Sequence, residues 1–212
     1  MRLNDMPTQI NTILIDADGV IQYAPQDWSD GFARSLAFDN LDQVAKFTLD
    51  VFAAETACLC QIEGFDQALD KVLKAWNRLN FKPSVIETMF AIEPHNHVMK
   101  MIEAVRACGI RCYVASNQQS QRANFMSTKF DYATKFNGEL YSCDLGAAKP
   151  SQQFFELALE AVGAKANQTL FIDDRAENVA GARRVGLHSM VYDGRSGAAN
   201  LTAQLRNFGI RI

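Results

Sequence analysis

Four short apolar runs, each closed by a polar or glycine-bearing turn, constrain the fold of this chain more than any other feature. They are Thr12–Ile15 (TILI), residues 111–115 (RCYVA), residues 169–172 (TLFI) and residues 189–192 (SMVY). Between the later runs the apolar spacing becomes helical. Phe154, Phe155, Ala158, Leu159 and Val162 line one face, with Ser151 as N-cap and Gly163 as the stop. Val98, Met101, Ile102 and Val105 line another, begun by Pro94 and ended by Gly109. Short buried strands alternating with helices predict an α/β protein whose parallel sheet is covered on both faces.

Residues 22–92 break that rhythm with helical patterns and no strand signal. Trp28, Phe32 and Leu36 form one stripe, and Leu41, Val44, Ala45, Leu49 and Phe52 a second. Phe65, Leu69, Val72, Leu73 and Trp76 form a third. An all-helical insertion is therefore expected between the first and second strands, on a core made of residues 1–21 and 93–212. A chain of 212 residues is long enough for such a core with a small appendage.

In open parallel sheets, ligands bind at the carboxyl ends of the strands. The first run is followed by Asp16, Ala17, Asp18 and Gly19, the second by Ser116 and Asn117, and the third by Asp173 and Asp174. Lys149, in "GAAKPS", precedes the helix that leads into the third run. Any one of these is ordinary loop chemistry. Together they gather acids, a hydroxyl, an amide and a lysine on one sheet edge. Carboxylates brought to ~4 Å repel by roughly 4 kcal/mol per pair at an effective dielectric of ~20. A divalent cation with oxygen ligands, Mg²⁺ by preference, relieves that repulsion and lets a phosphate approach. Asp16 then suits a nucleophile, giving an aspartyl-phosphate, and Asp18 an acid/base. Gly19 permits the sharp turn that brings both carboxylates to the pocket.

These residues resemble the haloacid dehalogenase superfamily, in its phosphatase branch. Asp16-Ala17-Asp18-Gly19-Val20 matches the first motif of that family. Ser116 in "YVASN" matches the second, Lys149 in "AKPS" the third, and the acidic pair of "FIDDRAENV" the fourth. The insertion resembles the family's helical cap. The resemblance implies a Rossmann-like core, Mg²⁺ dependence and phosphoryl transfer through Asp16. It carries the metal onto the Asp16 carboxylate, the Asp18 backbone carbonyl and the pair Asp173 and Asp174, with Asp174 the first choice. It carries phosphate oxygens onto Ser116 and the Asn117 amide, and charge balance onto Lys149. An acid at position 18 argues against a carbon–halogen substrate. A sugar phosphomutase shares all four motifs, and a non-catalytic binding module is the further alternative.

The net charge of −3 offers no basic field for a nucleic-acid backbone. No stretch reaches the ~18 apolar residues of a membrane span, and the N-terminus shows no basic-then-apolar pattern. The five cysteines follow no zinc or redox spacing. A cytoplasmic monomer or homodimer acting on a small phosphorylated substrate is the expectation. His95 and His97 read as a solvated helix start, and Gly194 and Gly197 as a surface turn. Arg175 reads either as a surface ion-pair partner or as an anion contact beside the acidic pair, and the resemblance implies that the cap turn at residues 60–65 faces the substrate.

Overall fold

Strand β1 (Thr12–Ile15) is buried at all four positions and lies at the centre of the sheet. The computed structural model describes residues 9–61 and 64–212. After β1 come β2 (Gln22–Tyr23), α1 (Trp28–Ser35), α2 (Leu41–Ala57), α3 (Phe65–Ala75), α4 (Lys82–Met89) and β3 (Glu93–Pro94). Then follow α5 (Asn96–Ala107), β4 (Arg111–Ser116), α6 (Ser120–Phe130), α7 (Tyr132–Lys135), β5 (Gly138–Tyr141) and α8 (Ser142–Leu145). The chain continues with α9 (Gln152–Val162), β6 (Thr169–Asp173), α10 (Ala176–Arg184), β7 (His188–Val191) and α11 (Ala198–Asn207).

The main sheet has five parallel strands in the order β5-β4-β1-β6-β7. Alternation within β1 explains why Ile13, Leu14 and Ile15 are all aliphatic. Ile13 and Ile15 join a cluster with Val98, Ile102, Met126 and Leu201 on one face. Leu14 faces the other way, among Phe154, Phe155, Phe171 and Ala182. A strand covered on both sides favours apolar residues throughout, and its one hydroxyl, that of Thr12, is buried and accepts from Arg111 Nη2 at 2.9 Å.

The expected caps hold at α9. The Ser151 hydroxyl accepts from the Phe154 amide, and Gly163 ends the helix at φ +58°. The fifth strand, β5, lacks a sequence signal because it is a short edge strand of mixed burial, "GELY". The strand expected at 189–192 begins one residue earlier, at His188. Helix α5 starts at Asn96, because Pro94 belongs to the antiparallel ribbon that β3 makes with β2. That ribbon, absent from the sequence reading, joins the outgoing and returning chains beside the helical insertion.

The inserted cap holds its own apolar cluster, including Phe32, Leu36, Phe47, Val51, Leu69, Leu73 and Met89. Phe47 stands edge-on to both Phe32 and Trp76, at centroid distances of 5.2 and 5.7 Å. The first and third expected stripes supply this cluster. The second needs correction: α2 buries Val44, Phe47, Thr48 and Val51, while Leu41, Ala45, Leu49 and Phe52 are exposed. Both faces of α2 carry apolar residues, so periodicity could not select the inner one.

Candidate active site

Strand order creates the site. Because β1 pairs with β4 on one side and β6 on the other, Ile15 stands opposite both Val114 and Ile172. The residues just beyond, Asp16, Ser116 and Asp173, therefore converge although they lie far apart in sequence. The Asp16 amide extends the pairing by donating to the Ile172 carbonyl at 2.9 Å.

Lys149 is buried between two acids. Its Nζ lies 2.8 Å from Asp16 Oδ1 and 2.7 Å from Asp173 Oδ2. Asp173 is fully buried and further held by Asn178 Nδ2 at 3.0 and 3.1 Å and by the Arg175 amide at 2.9 Å. In this geometry Asp173 is the second carboxylate partner of the lysine. Asn117 clamps the same loop: its Nδ2 donates to the Lys149 carbonyl, and its Oδ1 accepts from the Lys149 amide. The Asn117 side chain is thus committed to the lysine loop.

Asp16 Oδ1 also accepts from the Ala17 amide at 2.7 Å, so Oδ2 is the less engaged oxygen. Burial pushes the Asp16 carboxyl up to about 7, with Lys149 opposing and Asp173 adding to the rise. Oxygens of Asp16, Asp173 and Asp174 lie within 4.8 Å of one another. Asp174 is exposed, and Gly19 makes room for it. A Cβ on Gly19, which sits at φ +80°, would stand 2.3 Å from Asp174 Oδ2. The glycine after Asp18 therefore serves both a turn that L side chains resist and a close approach to an acid.

Asp18 has partners that the sequence did not announce. Arg122 of α6 grips it with two nitrogens, Nη1 to Oδ2 at 2.5 Å and Nη2 to Oδ1 at 2.9 Å. Gln22 Nε2 adds a bond to Oδ1 at 2.9 Å, and Gln118 Nε2 one to Oδ2 at 2.6 Å. Burial would raise this carboxyl, but Arg122 and the glutamines outweigh it and hold it down at about 2. Arg122 also reaches the cap, donating from Nε to the Met89 carbonyl at 3.1 Å.

These groups line a cavity of about 420 Å³ between core and cap. Asp16, Asp18, Ser116, Asn117, Lys149 and Asp174 all border it from the core. From the cap side come Gln26, Asp27, Trp28, Phe52 and Glu55. Trp28 and Phe52 stack with centroids 4.5 Å apart. Burial pushes Glu55 up to about 7, Arg122 opposing and Asp18 adding. Arg122, Gln118, Asn178 and Glu55 escaped sequence reading because each sits within an ordinary helical or loop pattern.

The remaining expectations divide. Arg175 does form an exposed ion pair, with Glu177. His95 is corrected: it is buried, stacked on Tyr23 at 4.6 Å, with Gly194 packed against its ring. The ribbon fixes it there through the bond from its amide to the Ile21 carbonyl, 2.8 Å. Gly194, read as a surface turn, is buried for the same reason. The cap turn at 60–65 falls partly outside the described residues, at positions 62–63. All five cysteines are free. Among the described residues, no helix is long and apolar enough to cross a membrane.

Comparison with known proteins agrees with this architecture. The sequence profile of the haloacid dehalogenase-like hydrolases matches residues 10–186. A sesquiterpene phosphatase of Aspergillus oryzae is 25% identical over 101 residues, 48% of this chain and 52% of that one. The match thus spans about half the length of that relative. A 5′-nucleotidase of Pseudomonas aeruginosa is 24% identical over 194 residues, 87% of this chain and 83% of the other. Among solved structures, a HAD family enzyme of Bacteroides thetaiotaomicron, in complex with magnesium and inorganic phosphate, superposes with a TM-score of 0.75. Its identity is 19%, over 91% of this chain and 98% of that one, so it supports the fold.

Proposed function

The chain belongs to the haloacid dehalogenase-like hydrolases, and on that premise we propose a Mg²⁺-dependent phosphatase that cleaves a small phosphomonoester. In this reading residues 22–92 are the cap, and residues 1–21 and 93–212 the catalytic core. The observation that carries it is the buried Lys149 bridge between Asp16 and Asp173, opening onto a cavity that Asp174 also borders. One cation does not neutralise three neighbouring carboxylates, so the cluster retains a need for positive charge.

The donor set fits Mg²⁺, which favours carboxylate and carbonyl oxygen with retained water. Asp16 Oδ2, the Asp18 carbonyl and Asp174 would hold it, with Asp173 positioning Lys149 behind them. When bound, the ion supplies charge that draws a phosphate toward an anionic nucleophile.

Lys149 fixes the rotamer of Asp16 by holding Oδ1, so the attacking carboxylate is aimed before substrate arrives. Ser116 and the Asn117 amide supply hydrogen bonds to phosphate oxygens, and Lys149 balances their charge. Asp16 attacks phosphorus, forming an aspartyl-phosphate as the ester oxygen–phosphorus bond breaks, and Asp18 gives a proton to the departing oxygen. In the second half, Asp18 takes a proton from the water that attacks the intermediate.

Phosphate release from 4-nitrophenyl phosphate and a panel of phosphorylated metabolites tests this reading. Asp16→Asn is expected to lower turnover by about three orders of magnitude or more. Full turnover by that variant with a proven substrate would overturn the covalent mechanism. Activity unaffected by thorough chelation would overturn the metal assignment.

A further inference from the structure

Helix α2 carries an apolar face that the cap core does not use. Leu41 is 78% exposed, Leu49 68% and Phe52 44%, and Ala45 between them is exposed as well. Steps of three and four residues set these side chains in one row along the helix. From Leu41 to Phe52 the row runs about 16 Å, at ~1.5 Å per residue. Charge on this face is sparse and balanced, with Asp42 and Lys46 as its exposed ionisable groups. An exposed apolar row of this kind marks a place where something apolar settles.

The row leads into the catalytic cavity. Phe52 borders that cavity, and its ring stacks on Trp28 of α1 with centroids 4.5 Å apart and planes 17° from parallel. The aromatic pair thus joins the cavity to the outer face of α2.

The remaining wall says what kind of leaving group would follow that path. The cations at the cavity are committed: Lys149 to Asp16 and Asp173, Arg122 to Asp18, Gln118 and the Met89 carbonyl, and Arg175 to Glu177. The cap residues that border it are Ala24, Gln26, Asp27, Trp28, Phe52 and Glu55, with no lysine or arginine among them. A second phosphate or a carboxylate on the substrate would face Asp27 and Glu55 without a counter-charge. A hydrocarbon chain carries nothing for those acids to repel and gains the row beyond. A second copy of this chain could also cover α2, but dimerisation does not require the row to enter the cavity.

We propose that the substrate is the phosphomonoester of a long-chain apolar alcohol. Its phosphate sits in the cavity, and its chain crosses Trp28 and Phe52 and runs outward along Leu49, Ala45 and Leu41. The inference rests on the phosphatase reading above and adds the substrate class to it.

The test is a series of n-alkyl phosphates from ethyl to decyl, held below their micelle-forming concentrations. Their leaving oxygens differ little in basicity, so chain length is the variable. Full burial of a methylene is worth about 4-fold, and a track open to water on one side about half that free energy. kcat/KM is therefore expected to rise about 2-fold per carbon, on the order of 50-fold from butyl to decyl phosphate. Phe52→Ala is expected to flatten the rise from its short-chain end, and Leu49→Gln to flatten its upper half. Slopes are taken within each variant, so they do not depend on how much of it is folded.

Cleavage of 4-nitrophenyl phosphate together with a flat or silent alkyl series would overturn the inference alone. A rise that both variants leave intact would do the same. Light scattering that finds a dimer split by Leu41→Gln and Leu49→Gln, with a flat series, would assign the row to a second copy instead. Wild-type protein that cleaves neither these esters nor the metabolite panel would overturn the phosphatase reading with it.

Discussion

The core and the cap reach stability by different routes, and the contrast explains what each contributes. The core threads apolar strands between two helical layers, so its polar residues are pushed to the strand ends. Those ends are where Asp16, Ser116 and Asp173 meet. The cap closes around a separate aromatic cluster of Phe32, Phe47 and Trp76, with no strand end to collect charge. It reaches the site through a few side chains, Trp28, Phe52 and Glu55, and through the Met89 carbonyl that Arg122 grips. A sheet edge concentrates chemistry at one place, whereas a helical bundle can offer a side chain from any of several turns.

The sharpest way to break this contrast is to open the cap core. Phe47→Ala removes a fully buried ring and is expected to cost about 3–5 kcal/mol. If the cap cluster is independent, hydrogen exchange will quicken in α2 and α3 while the amides of β1, β4 and β6 keep their protection. Equal loss of protection in the sheet would show a single cooperative unit.

A smaller effect probes the core's unbalanced charge. Burial raises the Asp16 carboxyl from 3.8 to about 7, so between those values the folded chain holds a proton that the unfolded chain has lost. In chelated protein, this contribution to stability is full below the unfolded value and is lost as pH rises through about 7. Mg²⁺ competes with that proton. The stabilisation it gives, about 2.7 kcal/mol at 100 times Kd, should therefore be larger at pH 8 than at pH 5.5. Thermal melts with Mg²⁺ and with chelator at both pH values check the sign. A shift no larger at pH 8 would remove Asp16 from the ligand set.

The smallest expected change lies on the outer face of the cap. Leu49 is 68% exposed, and Leu49→Gln should alter stability by no more than about 0.5 kcal/mol. A larger loss in the melting curve would return Leu49 to the cap core, where the apolar spacing of α2 first suggested it belonged.

The pattern of these effects follows what was legible in the sequence. The parallel core could be read because strands buried on both faces leave a continuous apolar run, as in TILI, and because each run ends in residues that a buried strand rejects. The cap helices were readable in kind. The inner face of α2 was not, because Leu49 and Phe52 look like core residues until the neighbouring helices are in place. The ribbon of β2 and β3 was invisible because two-residue strands have no periodicity. His95 was misread for the same reason, since its burial depends on Tyr23 and Gly194 arriving from distant parts of the chain.

By itself the sequence determined which residues gather at the candidate site, for Asp16, Ser116, Lys149 and the acidic pair each stand at a position that local pattern marks as a strand end or helix entry. Only the tertiary structure decided which groups surround each of them. Hydrogen bonding and burial depend on atoms brought together from across the chain. Lys149 finds Asp173, Arg122 and two glutamines occupy Asp18, and the cap sets Glu55 on the wall of the same cavity. Burial and hydrogen bonding thereby shift two carboxylic acids of similar intrinsic acidity in opposite directions within one cavity, Asp18 down and Glu55 up, a difference that no local spacing encodes.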